Sequence, residues 1–186
     1  MNENQNNKQK GFWKEMITYF IFTALVVIPT RLFIVQPFVV EGQSMEPTFT
    51  SGQYVVVDEI SYRFNEPKRG DVIVLRSPIN KKIYNIKRVI GLPNETIVIK
   101  KDIVSIMDKN NLTSVLDEPY IKYTVIDEKN IKITLNNDEF FVMGDNRPES
   151  LDSRSWGVLP RELIIGRTIL RLLPINTATF FPGFPE

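Results

Sequence analysis

Ser44 and Lys87 are the residues of this sequence best suited to do chemistry together. Ser44 opens the pentapeptide Ser-Met-Glu-Pro-Thr, shortly after the only long apolar segment, and the chain contains no histidine and no cysteine. The commonest general base and the thiolate nucleophile are therefore excluded. A serine hydroxyl is a weak nucleophile until a neighbouring base takes its proton. We therefore expect a hydrolase with a hydroxyl nucleophile and an amine base, working at a membrane surface.

The sequence around Lys87 predicts a strand that buries the amine. In residues 83–90 a period of two places one set of side chains on the same face: Ile83, Asn85, Lys87 and Val89. Burial disfavours the charged amine and would lower the lysine pKa from about 10.4 toward neutrality, as a general base requires. The alternative is a strand lysine whose charged end reaches water and stays protonated.

Residues 144–154 form a third polar segment, Gly-Asp-Asn-Arg-Pro-Glu-Ser-Leu-Asp-Ser-Arg. The segment follows an apolar run at 140–143 and carries polar side chains densely. Taken alone, it is typical of a solvated loop with local Asx turns. Its occurrence in the same chain as Ser44 and Lys87 favours a role in one site.

Composition excludes several other functions. The chain of 186 residues has 23 basic and 22 acidic side chains, a net charge of +1, and no basic stripe of the kind that binds nucleic acid. Without cysteine there is no disulfide and no zinc–sulfur site. A metal would need carboxylates alone, and no calcium-binding cluster is present. We expect no metal and no cofactor.

The apolar segment predicts a transmembrane signal anchor over residues 12–35. Residues 16–30 carry no charge. As a helix they would span roughly 22 Å, less than the roughly 30 Å hydrocarbon core. Residues 31–35 extend the segment, with Arg31 near its end. Basic residues before the segment predict a cytoplasmic N-terminus and an extracytoplasmic body, and Pro29 predicts a kink or an end to the helix. A cleaved signal peptide and a buried core helix are the alternatives.

The rest of the chain predicts a mostly β body. Short apolar runs are separated by turn signals, as in a β sandwich or barrel; they are residues 54–57, 71–75, 83–90, 96–99, 131–135, 140–143 and 164–173. The predicted organisation is a cytoplasmic tail (1–11), the anchor (12–35), a β catalytic domain (36–175) with a small variable insertion around 101–138, and a C-terminal tail (176–186). The phenylalanine-rich tail could either contact the membrane or pack on the body.

Four ordered motifs resemble the sequence boxes of type I signal peptidases, membrane-bound serine proteases that remove signal peptides from exported preproteins. They are Ser44-Met45-x-Pro47-Thr48, Gly70-Asp71-Val72, Lys87-Arg88-Val89-Ile90-Gly91-Leu92-Pro93 and Gly144-Asp145-Asn146-Arg147-x-x-Ser150-x-Asp152-Ser153-Arg154. The resemblance covers roughly residues 12–175. It implies a mostly β signal-peptidase body preceded by one N-terminal transmembrane helix.

The resemblance also implies roles for individual residues. Ser44 would be the nucleophile and Lys87 the general base, with Ser150 orienting the lysine amine. The implied ion pairs are Asp145 with Arg88 and Asp152 with Arg154. The backbone N–H of Ser44 would stabilise the oxyanion.

Two departures from the family pattern affect these expectations. Some members add a serine hydroxyl to the oxyanion hole from the position that is Gly42 in this chain, so the second donor is unassigned. Asn94-Glu95 stands where the family usually has Gly-Asp, and asparagine tolerates the positive φ that such a turn needs.

The implied substrates are preproteins with small side chains before the cleavage point. Val40, Met45 and Ile86 are our candidates for the pocket walls. The implied partners are these preproteins, the lipid bilayer and the secretion machinery, with no nucleic acid. Two alternatives stay open: a membrane-anchored, non-catalytic β domain that binds a partner, and a related Ser/Lys protein that cleaves itself.

Overall fold

The computed structural model describes residues 3–33, 35–108, 112–123 and 130–183. Parts of three predicted segments therefore lie outside the described residues: residue 34 of the anchor, residues 109–111 and 124–129 of the insertion, and residues 184–186 of the tail. The contacts within the chain define two compact units, Met1–Gln36 and Pro37–Glu186.

The first unit is dominated by helix α1 (Glu3–Phe33). The helix includes most of the segment 1–11, whose composition predicts a tail without regular structure, and it runs past Pro29 rather than ending there. A helix that has been nucleated extends into polar residues at little cost, and proline removes one hydrogen bond without always ending a helix. Within the described residues, no helix has the length and apolar content needed to cross a membrane.

The body is built mainly from short strands. In chain order the strands are β1 (Val35–Val39), β2 (Tyr54–Asp58), β3 (Val72–Arg76), β4 (Tyr84–Gly91), β5 (Thr96–Lys100), β6 (Ile103–Met107), β7 (Thr113–Val115), β8 (Ile131–Thr134), β9 (Glu139–Met143), β10 (Leu159–Pro160), β11 (Ile164–Leu173) and β12 (Thr179–Phe180). The short helices are α2 (Ser61–Phe64) and α3 (Ser153–Trp156), and 3-10 turns cover Arg161–Leu163 and Ile175–Thr177.

These strands form two sheets. The larger has eight strands in the order β1-β2-β11-β3-β4-β9-β10, with β12 paired to β11, and the smaller has four in the order β7-β6-β5-β8. Every pairing whose register is described is antiparallel. The prediction of a mostly β body is confirmed.

Each apolar run named in the sequence contains a strand, whereas five further strands were not predicted. They are β1, β6, β7, β10 and β12. Two of them have only two residues each, and all three side chains of β7 are exposed, so no alternation marks it. Strands β6, β7 and β8 lie in the stretch predicted to be an insertion, and they join β5 to make the smaller sheet.

An apolar cluster beneath residues 40–53 supports the segment that carries Ser44. Met45 and Phe49 from this segment pack with Val55 and Val57 of β2 and with Val72 and Val74 of β3. Burying side chains of this size contributes roughly 1.5–3 kcal/mol each. The turn that holds Ser44 is therefore fixed to the centre of the larger sheet.

The described part of the C-terminal tail packs on the body. Strand β12 pairs with β11, Arg171 Nε donates to the carbonyl of Thr177 at 2.7 Å, and Arg88 donates to the carbonyl of Gly183. Phe180 nevertheless leaves 75% of its surface exposed. Packing on the body is thus observed through Gly183, and membrane contact by the exposed ring stays a prediction.

Candidate active site

Ser44 lies in the turn between β1 and β2. The turn is closed at its base by two backbone bonds, from Val40 N to Gln53 O and from Gly52 N to Val40 O, each 2.8 Å. Gly42 has a φ of 85°, a left-handed conformation in which a β-carbon is strained. Ser44 itself is half-buried, so its hydroxyl remains reachable from solvent.

Strand β4 brings Lys87 to this serine. Lys87 Nζ donates to Ser44 Oγ at 2.7 Å and to the carbonyl of Ile86 at 3.0 Å. Lys87 is only 4% exposed, and its register partner on β3 is the buried Ile73. The two residues that the sequence singled out are therefore in direct contact, although 43 positions separate them.

Burial changes the acid–base behaviour of the amine. Desolvation lowers the pKa of Lys87 from 10.5 to about 8, against the negative charges of Asp152 and Asp145, which act to raise it. The cation of Arg154 adds a smaller lowering effect. A lysine with a pKa near 8 is partly neutral at physiological pH, so it can accept a proton.

A buried ion pair ties β4 to the loop at 144–154. Arg88 donates from Nε to Asp145 Oδ1 at 2.8 Å and from its terminal nitrogen to Oδ2 at 2.6 Å, and both side chains are fully buried. Thr48 Oγ1 donates to the same carboxylate at 2.5 Å. This two-point pairing holds the strand of Lys87, the turn of Ser44 and the polar loop together.

A second pair organises the far end of the polar loop. Arg154 donates to both carboxylate oxygens of Asp152, at 2.9 and 2.8 Å, and the N–H of Gly144 adds a 3.0 Å bond. Burial alone would raise the pKa of Asp152, but these donors outweigh it and hold the pKa below its usual value. Asp152 also caps α3 by accepting from the N–H of Arg154.

The hydroxyl of Ser150 is buried beside these groups without a formed bond to Lys87. Its Oγ contributes to the low pKa of Asp152, yet it lies outside hydrogen-bond geometry with every described residue. A side chain at Gly144 would overlap both Ser150 Oγ and the carbonyl of Ser44, so glycine is needed for this close approach. The role of Ser150 in orienting the amine stays a prediction.

The backbone N–H of Ser44 is available as a donor. Among the described residues, the N–H of Ser44 has no acceptor. The N–H of Glu46, two residues later, donates to Gln43 O at 3.1 Å. A free N–H on a nucleophilic serine is the arrangement that an oxyanion hole needs.

A cleft of about 300 Å³ runs beside Ser44 and Lys87. Its walls come from the end of β1, from β2 and β3, and from the start of β4: Phe38, Val39, Val40, Glu41, Val55, Val74, Ile83, Tyr84, Asn85 and Ile86. Val40 and Ile86 line the cleft. Met45 is wrongly predicted as a wall, because its side chain is 1% exposed and turns inward to the apolar cluster with Phe49.

Three contacts near the site have no counterpart in the sequence-based predictions. Asn146 bonds to the carbonyls of Gln43 and Ser44, and Arg147 pairs with Glu118 from the stretch predicted to be an insertion. The ring of Tyr120 lies 3.8 Å from the guanidinium of Arg88. Each contact joins distant parts of the chain, and only the resemblance to a family motif pointed to Asn146 and Arg147.

Two other features bear on the sequence-based expectations. Asn94 adopts a φ of 66°, so the turn keeps a left-handed residue there, and Glu95 accepts from the N–H of Leu92 at 2.8 Å. In the part of the chain that the structure describes, no group of three or more potential metal ligands lies close together.

Comparison with known proteins identifies the family. The family described as signal peptidase, peptidase S26, matches residues 13–173. The chain is 36% identical to a signal peptidase I of Leptolyngbya laminosa, over 83% of this chain and 76% of that protein. It is 31% identical to signal peptidase I T of Bacillus subtilis, over 94% of this chain and 95% of that protein.

A solved structure shows a more limited likeness. The crystal structure of a signal peptidase I from Enterococcus faecalis is 28% identical, with a TM-score of 0.46, and the match covers 55% of this chain and 97% of that chain. The family match is longer, since it extends over most of the sequence and includes both Ser44 and Lys87. This chain belongs to the signal peptidase family, peptidase S26.

Proposed function

We propose that this protein is a type I signal peptidase in which Ser44 is the nucleophile and Lys87 the general base. Membership of the family makes it a serine peptidase that removes signal peptides from preproteins. The observation that carries the assignment of the two residues is the 2.7 Å bond between a half-buried serine hydroxyl and a buried lysine amine.

The geometry supports an acyl-transfer mechanism. Neutral Lys87 takes the proton of Ser44 Oγ as that oxygen attacks the scissile carbonyl, and the protonated amine then gives a proton to the leaving amine. The free N–H of Ser44 donates to the oxyanion of the tetrahedral intermediate. Lys87 next takes a proton from water, which attacks the acyl-enzyme, and returns that proton to Ser44 Oγ as the acyl–Oγ bond breaks and the product leaves with its new carboxyl group.

The remaining polar residues act through these two. The Arg88–Asp145 and Arg154–Asp152 pairs hold the segments that carry the dyad, and the two carboxylates limit how far the pKa of Lys87 falls. Ser150 is proposed to orient the amine, since its buried hydroxyl has no bonded partner among the described residues.

The cleft supports a substrate with small side chains before the scissile bond. Its volume of about 300 Å³ is small, and much of its lining is apolar, including Phe38, Val55 and Val74. Val40 lies four residues before Ser44, Ile86 lies immediately before Lys87, and both line the cleft. An extended peptide lying between the ends of β1 and β4 would pass directly over Ser44.

We further propose that residues 12–35 anchor the protein in the bilayer with the N-terminus in the cytoplasm. The support is the charge-free run at residues 16–30 and the basic residues before it. This topology would place the catalytic body at the outer face of the membrane, where exported preproteins emerge from the secretion machinery.

Replacement of each dyad residue tests the proposed function. The wild-type protein, purified in detergent, is expected to cleave a preprotein whose signal peptide ends in small residues, and chelators should have no effect. Ser44→Ala and Lys87→Ala should each lose cleavage, because each removes a group that the mechanism requires. Ser51→Ala and Lys132→Ala, at exposed positions, are the matched controls.

Full activity in either dyad variant would overturn the assignment of that residue. Loss of cleavage in the exposed controls as well would show that the assay reports folding rather than chemistry. A wild-type protein that binds the preprotein without cutting it would instead favour the non-catalytic alternative.

A further inference from the structure

The direction of the Ser44 N–H is set by the peptide group that it belongs to. A trans peptide group is planar, and its C=O and N–H point in opposite directions. The Ser44 N–H therefore points away from whatever holds the carbonyl of Gln43. A group that fixes this carbonyl also aims the oxyanion donor.

Asn146 holds that carbonyl together with the N–H of Glu46, which donates to it at 3.1 Å, and Asn146 also holds the next carbonyl. Its side-chain Nδ2 donates to Gln43 O at 3.1 Å, and its backbone N–H donates to Ser44 O at 3.1 Å. Asn146 is 5% exposed, so water competes little for these bonds. One buried residue thus holds the peptide groups on both sides of the Ser44 α-carbon.

Asn146 is itself held firmly. It follows Asp145, which is locked to Arg88, and it precedes Arg147, which pairs with Glu118. Its own carbonyl accepts from the N–H of Glu149 at 3.2 Å. The amide of Asn146 therefore has a fixed frame from which to orient the turn of Ser44.

We propose that Asn146 is a positioning residue for the oxyanion site, acting through the Gln43–Ser44 peptide group. The inference rests on the proposed function. Gly42 offers no hydroxyl to the oxyanion, so the backbone N–H that Asn146 helps to aim carries more of the stabilisation. Loss of the Asn146 amide would leave the dyad contact in place and misdirect the donor.

The decisive variants are Asn146→Ala and Asn146→Asp, made in the full-length protein. Both lose the amide donor, and the second keeps the size of the side chain. Asn137→Ala, at an exposed turn before β9, is the matched control. We expect kcat to fall roughly 10- to 100-fold in both variants, because a small misplacement of a catalytic group can cost about that much, while KM changes less than about twofold.

A peptide aldehyde ending in alanine separates positioning from folding. Its adduct with Ser44 places an oxygen in the oxyanion site, so its affinity should fall by the same factor as kcat. An uncleavable peptide of the same sequence, in which the scissile amide is reduced to CH2–NH, places no oxygen in this site, so its affinity should be unchanged. In Asn146→Ala, which adds no charge, the pH dependence of kcat/KM should also keep its midpoint, since the contacts of Lys87 are untouched.

The outcomes distinguish this inference from the proposed function. If the wild-type protein does not cleave preprotein, the proposed function fails. If it does cleave, but both variants keep the wild-type kcat and aldehyde affinity, only the role of Asn146 is refuted. A parallel loss of affinity for both peptides, or a fall in activity that matches only the folded fraction, would likewise refute positioning and leave a structural role.

Discussion

In the proposed mechanism, Lys87 meets two opposing requirements at the scale of a single residue. Catalysis needs a neutral amine, which burial favours, whereas folding is opposed by the cost of burying a charge. The side chain is 4% exposed and bonds to Ser44 Oγ and to the carbonyl of Ile86. The same desolvation that makes the amine a base therefore reduces the stability of the fold.

The pH dependence of the reaction should report this amine. Because desolvation lowers the pKa of Lys87 to about 8, the neutral fraction and hence kcat/KM should rise about tenfold per pH unit below pH 8 and level off above it. The measurement is kcat/KM for a preprotein from pH 6 to pH 11. A profile that stays flat through pH 8, or that rises only through pH 10.5, would contradict a desolvated base.

Stability should improve when the amine is replaced by an apolar group of similar size. Lowering the pKa from 10.5 to about 8 corresponds to a penalty of about 3 kcal/mol on the folded state. The folded state bears the full penalty below pH 8. The penalty disappears as pH rises to about 10.5, where the Lys87 amine of the unfolded chain also loses its proton. Lys87→Met should therefore be inactive but more stable at pH 7, by up to this amount.

Unfolding by heat or urea at pH 7 and at pH 10.5 measures the effect. The difference between Lys87→Met and the wild type should shrink at the higher pH, and Lys132→Met, at an exposed strand position, should show no such dependence. A difference that is the same at both values would mean that Lys87 is not desolvated in the folded protein.

At the scale of elements, the site forms where three separate segments meet. The turn before β2 carries Ser44, β4 carries Lys87 and Arg88, and the loop after β9 carries Asp145 and Asp152. A fourth segment also takes part, the stretch that resembles a variable insertion, because Glu118 pairs with Arg147 of the loop and Tyr120 packs on Arg88 of β4. Burial and the adjacent Glu118 carboxylate raise the pKa of Tyr120, so its ring stays neutral over Arg88.

The pair between Glu118 and Arg147 should be important for stability. Arg147 is fully buried and one of its terminal nitrogens has no partner among the described residues, so Glu118→Gln would leave its charge uncompensated. We expect the free energy of unfolding to fall by an amount at the low end of roughly 3–5 kcal/mol. Such a fall lowers the melting temperature by about 6–12 °C. Activity should fall as well, since Arg147 adjoins Asn146.

Asp117→Asn is the matched control, because Asp117 is adjacent in sequence and exposed. Thermal unfolding and preprotein cleavage of the two variants, compared with the wild type, make the test. Equal melting temperatures for Glu118→Gln and Asp117→Asn would show that the ion pair does not stabilise the loop.

At the scale of the whole molecule, the site residues all belong to one compact unit, Pro37–Glu186. Strand β1 begins at Val35 and pairs with β2, so a separate body must start there to keep the larger sheet complete. In the part of the chain that the structure describes, the residues that line the cleft lie between Phe38 and Lys87.

A variant comprising residues 35–186 should therefore fold and cleave a soluble signal-peptide substrate with a kcat close to that of the full chain. It should no longer sediment with vesicles, whereas the full chain should do so if residues 12–35 form the proposed anchor. Vesicle sedimentation and peptide cleavage are the two measurements. A truncated body that sediments as well as the full chain would contradict anchoring by this segment.

Local sequence patterns allowed much of the body to be predicted. Because the chain has no histidine, Lys87 became the candidate base, and the alternation around it predicted a strand with a buried amine. The apolar runs predicted seven of the strands because a strand with one or both faces buried shows its apolar residues in alternation or in a short continuous run. Strand β7 was missed for the same reason, since none of its side chains is buried.

Which residues touch was decided only by the tertiary structure. Met45 adjoins Ser44 in sequence, yet the turn points its side chain into the core, and Ile86 lines the cleft instead. Asn146 and Glu118 gain their roles from contacts across 103 and 29 positions of chain. Sequence by itself determined the chemistry available and the strands that carry it. Packing determined the 2.7 Å contact between Ser44 and Lys87 and the burial of the amine. The physical reason is that side-chain direction and desolvation depend on neighbours that are distant along the chain.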